Sequence, residues 1–324
     1  MRYFKIPLFI LVLLLLDAGA GFFLRPYYRA ATLPEFEAFY SRYVDTKAPF
    51  DIVFFGDSRI QHGIDTPYLS SLCRCGAGNL AVSGSTIAST YYLLRDYLAY
   101  NTPKLVVLEA HWSRMVDQGA GSHLYPLLLE MLPLSDQADY ALTSGDLGFV
   151  AEKILYSYRY RKSLPRLVSG AGPSTSTPQT NVADQFISTG EGLKPTADIG
   201  LQAFMLLHPY DLPPSQTELA YLERTLSLLK EKGIAVALLQ PPEPLAAQRT
   251  VAHYAQLSAL IAQTAAQHSV PFINLDDPQD PALQELGNFT DVLHASMPGT
   301  KVFTKKLWGS LQAEFERYTK AVTQ

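Results

Sequence analysis

Short apolar runs alternate with longer amphipathic stretches along most of this chain. Asp51–Asp57 (DIVFFGD) is a brief apolar run ending in a turn, the pattern of a strand buried on both faces. Asn79–Ser83 (NLAVS) and Lys104–Ala110 (KLVVLEA) repeat it, with a helical stretch from Thr86 to about Asn101 between them. Leu219, Leu222, Leu226 and Leu229 fall at helical spacing within Gln216–Lys232, and Gly233 supplies a C-terminal stop. Ile234–Gln240 predicts a fourth strand halted by Pro241 and Pro242, and a helix from about Leu245 to His268 leads to a fifth at Pro271–Leu275. A last amphipathic helix is expected from near Pro298 to about Lys320. Strands spaced by helices predict an α/β fold with a parallel sheet covered on both faces.

The middle breaks the rhythm. Between Trp112 and Ser215 there is no clear strand; Tyr156–Arg161 is rich in Tyr and Arg, and Ser169–Pro178 (SGAGPSTSTP) reads as a loop. We read residues 112–215 as an insertion, a cap on the strand-end face, within one domain spanning 30–324; a separate domain is the alternative.

The N-terminus, residues 1–29, is a membrane-targeting segment. Arg2 and Lys5 precede the apolar run Ile6–Leu16, and apolar character resumes at Phe22–Leu24 before Arg25 and Pro26. Ala18-Gly19-Ala20 fits a signal-peptide cleavage site. The 19 residues from Ile6 to Leu24 also suffice for a transmembrane anchor, with Asp17 toward its outer part and Arg25, Tyr27, Tyr28 and Arg29 at the interface. The uncleaved, single-pass anchor is the preferred reading, and either reading exports the body.

Composition narrows the class. Of 324 residues 48% are hydrophobic and 17% charged, enough for a large core and unlike a disordered chain. A net charge of −4 without long runs of one sign argues against a nucleic-acid partner. Mean hydropathy of +0.03 excludes a polytopic membrane protein. Cys73 and Cys75 are too few for a disulfide framework; a strained bridge between them is possible, but free or conditionally paired thiols are favoured.

Candidate chemistry lies at the two ends of the body. Gly56-Asp57-Ser58 ends the first strand, so Ser58 belongs at the carboxyl edge of the sheet, where open α/β folds place ligands and a following helix offers free N–H groups. Asp291-Val292-Leu293-His294 precedes the last helix, a spacing that lets Asp291 hold the His294 imidazole as a base for a serine. The plain alternatives are an N-cap serine and an Asp-initiated turn with a surface histidine.

Phe55–Ser58, the glycine of Asn79–Ser85 and Asp291–His294 resemble the three corresponding blocks of the SGNH/GDSL hydrolase superfamily. The resemblance covers residues 51–111 and 216 onward, not the insertion. It implies a three-layer α/β/α, flavodoxin-like fold with Ser58 as nucleophile, His294 as base, Asp291 orienting it, and the N–H groups of Ser58 and Gly84 as an oxyanion hole. The superfamily's third block carries an Asn; Val107–Trp112 has none, and His111 is the candidate replacement. In layout the chain is similar to membrane-anchored members acting in cell-envelope acylation, the D-alanyl-transfer proteins of teichoic-acid assembly among them. That implies an esterase or O-acyltransferase in a bacterial inner or cytoplasmic membrane, its domain in the periplasm or outside. An acylated or acceptor polysaccharide and a membrane-bound acyl donor would be its partners. No cofactor is called for. A degenerate, glycan-binding or assembly scaffold is the alternative.

Other residues are weaker candidates. His62 follows Ser58 by four but reads as a helix-end residue; Glu109 could orient His111 or form a structural pair; Asp57 braces the turn. His123 and His208 are too isolated to suggest a metal, and the Tyr/Arg cluster reads as a solvated helix face rather than a site for an anionic glycan.

Overall fold

The computed structural model describes residues 5–44, 50–116, 133–144, 148–161, 164–169, 213–249, 251–291 and 293–322. The chain divides into two compact units, one of Met1–Ser41 with Leu124–Ala183 and one of Arg42–His123 with Asp184–Gln324. Of the loop expected at Ser169–Pro178 all but Ser169 lies outside the described residues, as do His123 and His208.

The second unit holds the sheet. Its parallel strands are β1 (Ile52–Phe55), β2 (Ala77–Asn79), β3 (Leu105–Glu109), β4 (Ala235–Gln240) and β5 (Phe272–Asn274). They are ordered β2-β1-β3-β4-β5, the flavodoxin-like arrangement. β1 and β3 are buried at every position, which explains their unbroken apolar runs. On one face Ile52, Phe54, Leu105, Val107, Ala237 and Leu239 pack with Phe303, Leu307 and Leu311 of the last helix, Met297–Val322. The alternate positions Val53, Phe55, Val106 and Leu108 point the other way by strand periodicity. That side is covered by the helices Ile87–Tyr97 and Gln216–Glu231, joined by a 2.8 Å bond between the hydroxyls of Tyr92 and Tyr221 and by Glu218 accepting the N–H of Ala88 at 3.0 Å. The α/β expectation holds, with helices on both faces.

Three local readings change. β2 runs Ala77–Asn79 rather than 79–83; beyond it the chain turns away, although Leu80 and Val82 still donate to the carbonyls of Phe54 and Gly56 at 2.8 and 2.9 Å. The helix expected over 245–268 is two, Leu245–Gln248 and Tyr254–Gln267, because His253 takes a left-handed backbone (φ 61°) that a continuous helix cannot contain. Cys73 and Cys75 are joined in a disulfide rather than left as thiols. After β3 the chain leaves the sheet beside its own return: Val116 bridges Pro214, and Ser215 donates to the Met115 carbonyl at 2.7 Å.

The first unit is helical among its described residues. α1 (Lys5–Val44) carries a stretch, Lys5–Tyr27, of mean hydropathy 2.3, long and apolar enough to cross a membrane or to be a signal sequence. With it belong the helices α5 (Leu134–Ser144), α6 (Gly148–Ile154), α7 (Tyr156–Arg159) and α8 (Leu164–Val168), numbered after α2 (Ser58–Gly63), α3 (Thr66–Cys73) and α4 (Ile87–Tyr97) of the second unit.

Gly56 ends β1 where no side chain fits. A Cβ there would lie 2.5 Å from Glu109 Oε2 and 2.6 Å from Ile60 Cγ1. Gly56→Ala is expected to destabilise the chain by about 1–3 kcal/mol, the usual cost of overpacking. A lower urea midpoint at unchanged slope would bear this out; an unchanged midpoint would contradict it.

Candidate active site

β1 delivers its chain to the carboxyl edge of the sheet between β2 and β3, the point at which strand order reverses. Asp57 caps α2: its Oδ1 accepts the Arg59 N–H at 2.8 Å and its Oδ2 pairs with the Arg59 guanidinium at 3.2 Å. Ser58 is therefore the first residue of a helix, where intrahelical bonding leaves N–H groups without acceptors.

Ser58, His294 and Asp291 come together, although Ser58 and His294 are 236 residues apart. His294 Nε2 lies 2.8 Å from Ser58 Oγ, and His294 Nδ1 lies 2.8 and 3.0 Å from the Asp291 carboxylate oxygens. An ionised carboxylate only accepts, so Nδ1 carries the proton and Nε2 accepts the serine O–H. Burial would raise the Asp291 pKa. The bond from the imidazole and the N–H groups of Leu293 and His294, at 2.7 and 2.8 Å, outweigh it and hold the carboxyl below its ordinary range. The same two N–H bonds close an Asx turn, and Thr290 N–H donates to the His294 carbonyl at 2.9 Å. The short Asp-to-His spacing is thus held by backbone as well as by side chain. Ser58, His294 and Asp291 all remain partly exposed, open to a ligand from outside.

The loop carrying Gly84 is tied to the same turn. Ser85 Oγ donates to the Gly56 carbonyl at 2.7 Å, and Ser83 N–H donates to Gln61 Oε1 at 2.8 Å. Gly84 itself is exposed and has φ +73°, a conformation that favours glycine.

His111 does not join this group. Its side chain has no exposed surface; Nδ1 is 2.8 Å from Ser113 Oγ and Nε2 faces Glu243 at 3.7 Å. A ring so enclosed cannot reach a substrate oxygen, so the expectation of His111 as an oxyanion donor is corrected to a packed, polar role. Burial and the Arg59 charge both depress its pKa. Glu109 does not orient it. Glu109 Oε2 instead accepts the Asp57 N–H at 2.5 Å and pairs with Arg114 at 3.4 Å.

Beneath Ser58 lies a buried polar cluster that sequence reading missed. Arg59 approaches Glu243 at 3.9 Å, Trp112 Nε1 donates to Glu243 at 2.9 Å, and the Asp276 carboxylate receives the Glu243 N–H at 3.2 Å and the Gln248 side chain. Single carboxylates scattered over 170 residues carry no spacing signal. His62 had such a signal, four residues after Ser58, and its ring meets His294 edge-on with centroids 5.8 Å apart. Burial, then the neighbouring His294 charge, push the His62 pKa down to about 4. Among the described residues no group of three His, Cys, Asp or Glu side chains could hold a metal ion.

No family model matches the chain, and no curated protein does. Solved structures that it resembles include a GDSL-like lipase from Bacteroides thetaiotaomicron (13% identity, TM-score 0.40), covering 81% of this chain and 88% of that one. A psychrotrophic esterase from Pseudoalteromonas sp. matches at 10% identity and TM-score 0.41, over 82% of this chain and 99% of that one. An acetylxylan esterase from Geobacillus stearothermophilus matches at 12% and 0.39, over 80% and 92%. Likeness at this level carries no argument about the chemistry of this chain.

Because the folded chain refuses a proton at His62 that the unfolded chain accepts, stability rises with pH between about 4 and 6.5. His62→Asn is expected to flatten that rise, worth on the order of 2 kcal/mol. Urea midpoints at several pH values across this window test it, and parallel profiles for both proteins would refute it.

Proposed function

We propose that this chain is a serine esterase or O-acyltransferase of the SGNH type, exported and held at a bacterial cytoplasmic membrane by its N-terminal helix. Its substrate class is acylated cell-envelope polysaccharide or glycan. The observation that carries the enzymatic reading is the hydrogen-bonded chain from Ser58 Oγ through His294 to Asp291 at the strand-end edge.

In that reading His294 Nε2 takes the Ser58 proton as the serine oxygen attacks an acyl carbonyl, and returns it to the departing alkoxide, leaving an acyl-enzyme. Water or a sugar hydroxyl then gives its proton to His294 and attacks the acyl carbon, and the imidazolium returns that proton to Ser58. Asp291, kept ionised, stabilises the imidazolium in both halves. The N–H groups of Ser58 and Gly84 would receive the oxyanion. Export, the acyl-donating membrane partner and the glycan substrate rest on the sequence resemblance; the apolar stretch Lys5–Tyr27 supports the anchor.

A fluorophosphonate probe applied to full-length protein should label Ser58. Ser58→Ala should abolish labelling, and His294→Ala or Asp291→Asn should slow it by roughly 10³–10⁴. No labelling of a folded wild-type protein would overturn the enzymatic reading and leave the glycan-binding scaffold in its place.

A further inference from the structure

The apolar N-terminal stretch contains one acidic residue, and the structure gives it partners. Asp17 Oδ2 accepts the N–H of Tyr156 at 2.7 Å, and Oδ1 accepts the N–H of Ser157 at 2.9 Å and also its hydroxyl. Tyr156 and Ser157 open α7, whose own preceding residue, Leu155, provides no side-chain cap. Asp17 thus supplies, from about 140 residues away in sequence and within the same compact unit, the side-chain cap that Leu155 does not. One turn further on, Gly21 meets Tyr156 so closely that a Cβ would lie 2.4 Å from the Tyr156 Cβ. Along α1, Asp17, Ala20, Gly21, Leu24 and Tyr27 are covered or half-covered and share one helical face, while Ile6–Val12, Phe22 and Phe23 stand open.

Resting on the anchor reading proposed above, we infer that α6–α8 of the insertion enter the lipid bilayer beside α1, docked through Asp17 and Gly21. In the Lys5–Tyr27 span Asp17 sits just past the centre, on the outer side, about 18 Å along the helix from Lys5. A lone carboxylate at that depth is costly, and so are the unbonded N–H groups of a helix start. Each satisfies the other. In water neither would need a partner, so the contact has a purpose in hydrocarbon that it lacks outside it. The docked segment has the surface that lipid requires: Ile154, Leu155, Tyr156, Tyr158, Leu164 and Val168 are all exposed. Of its charges, Arg159 is buried and Arg161, partly exposed, lies over the Tyr158 ring while bonded to Glu152. The occupant of this apolar surface is lipid acyl chain, and the N-terminal helix is a retained part of the fold.

The test uses full-length protein in phosphatidylethanolamine–phosphatidylglycerol vesicles that carry an acyl-chain diazirine, with the labelled peptides located by mass spectrometry. Carbene adducts are expected in Ile6–Leu24 and in Ile154–Val168, and not in the helix Gln216–Glu231. Asp17→Leu, which makes the anchor more apolar, should leave the first set unchanged and reduce the second by about tenfold, the loss of charge-assisted hydrogen bonds. Adducts confined to the anchor would overturn the inference and leave the anchor standing, as would adducts at 154–168 that ignore Asp17→Leu. A mature chain beginning after Ala20, read by intact mass, would remove the anchor reading itself.

Discussion

The edge that carries Ser58 depends on one buried contact, the Glu109 carboxyl group of β3 accepting the Asp57 N–H at 2.5 Å. That bond fixes the turn between β1 and α2, and the Glu109 carboxyl, with Ile60, leaves Gly56 no room for a side chain. A carboxyl so deep is tolerable only if its charge is suppressed or balanced. Both happen. Burial and the adjacent Asp57 charge push the Glu109 pKa up to about 8, and burial with the Glu243 charge does the same to Asp276. Asp57 and Glu243 resist their own burial because Arg59 and Arg114, or His111 and Arg59, face them. Near neutral pH two carboxylates and two guanidiniums then remain, and the cluster is balanced. Glu109 Oε1 lacks a hydrogen-bond partner among the described residues.

The balance has a consequence for position rather than for chemistry. Arg59 is the residue after Ser58, and its guanidinium is shared between Asp57 and Glu243. Glu243 in turn holds Trp112 and faces His111 at the end of β3. The turn after β1, the end of β3 and the loop after β4 are therefore cross-braced by side chains beneath the sheet edge. A serine at the first position of a six-residue helix would otherwise sit on a short, fraying element.

Much of the fold was legible because buried parallel strands write themselves as unbroken apolar runs, and β1, β3 and β4 follow that rule. β2 did not: Ala77-Gly78-Asn79 has almost no side chain to read, and the apolar residues 80–82 pull the expectation past the true strand. The 245–268 stretch reads as one helix because its apolar spacing is continuous, and nothing in composition announces a left-handed His253. At the site, Ser58, Asp291 and His294 were legible through local spacing against predicted elements. The cluster of Glu109, Arg114, Glu243 and Asp276 was not, since its members meet only after the sheet is assembled. His111 misled for a related reason. Its place after β3 points to the sheet edge, but the short helical turn Trp112–Arg114 and the carboxylate of Glu243 draw the ring inward.

With His111 enclosed, the proposed oxyanion site keeps two backbone donors, Ser58 and Gly84, and loses the side-chain donor expected of it. Loss of one such donor costs about 10²–10³ in rate, against total enzymatic accelerations of about 10⁶ or more. A two-donor site is therefore slower but not inert. The penalty falls on every step that builds a tetrahedral intermediate, so acylation and deacylation are slowed together. In the proposed reaction a site with that handicap gains most from an activated acyl donor and from an acceptor held close, because proximity can restore more than one donor removes. The rate of that reaction then turns on how closely the acyl donor and the acceptor, whether water or a sugar hydroxyl, are held at Ser58.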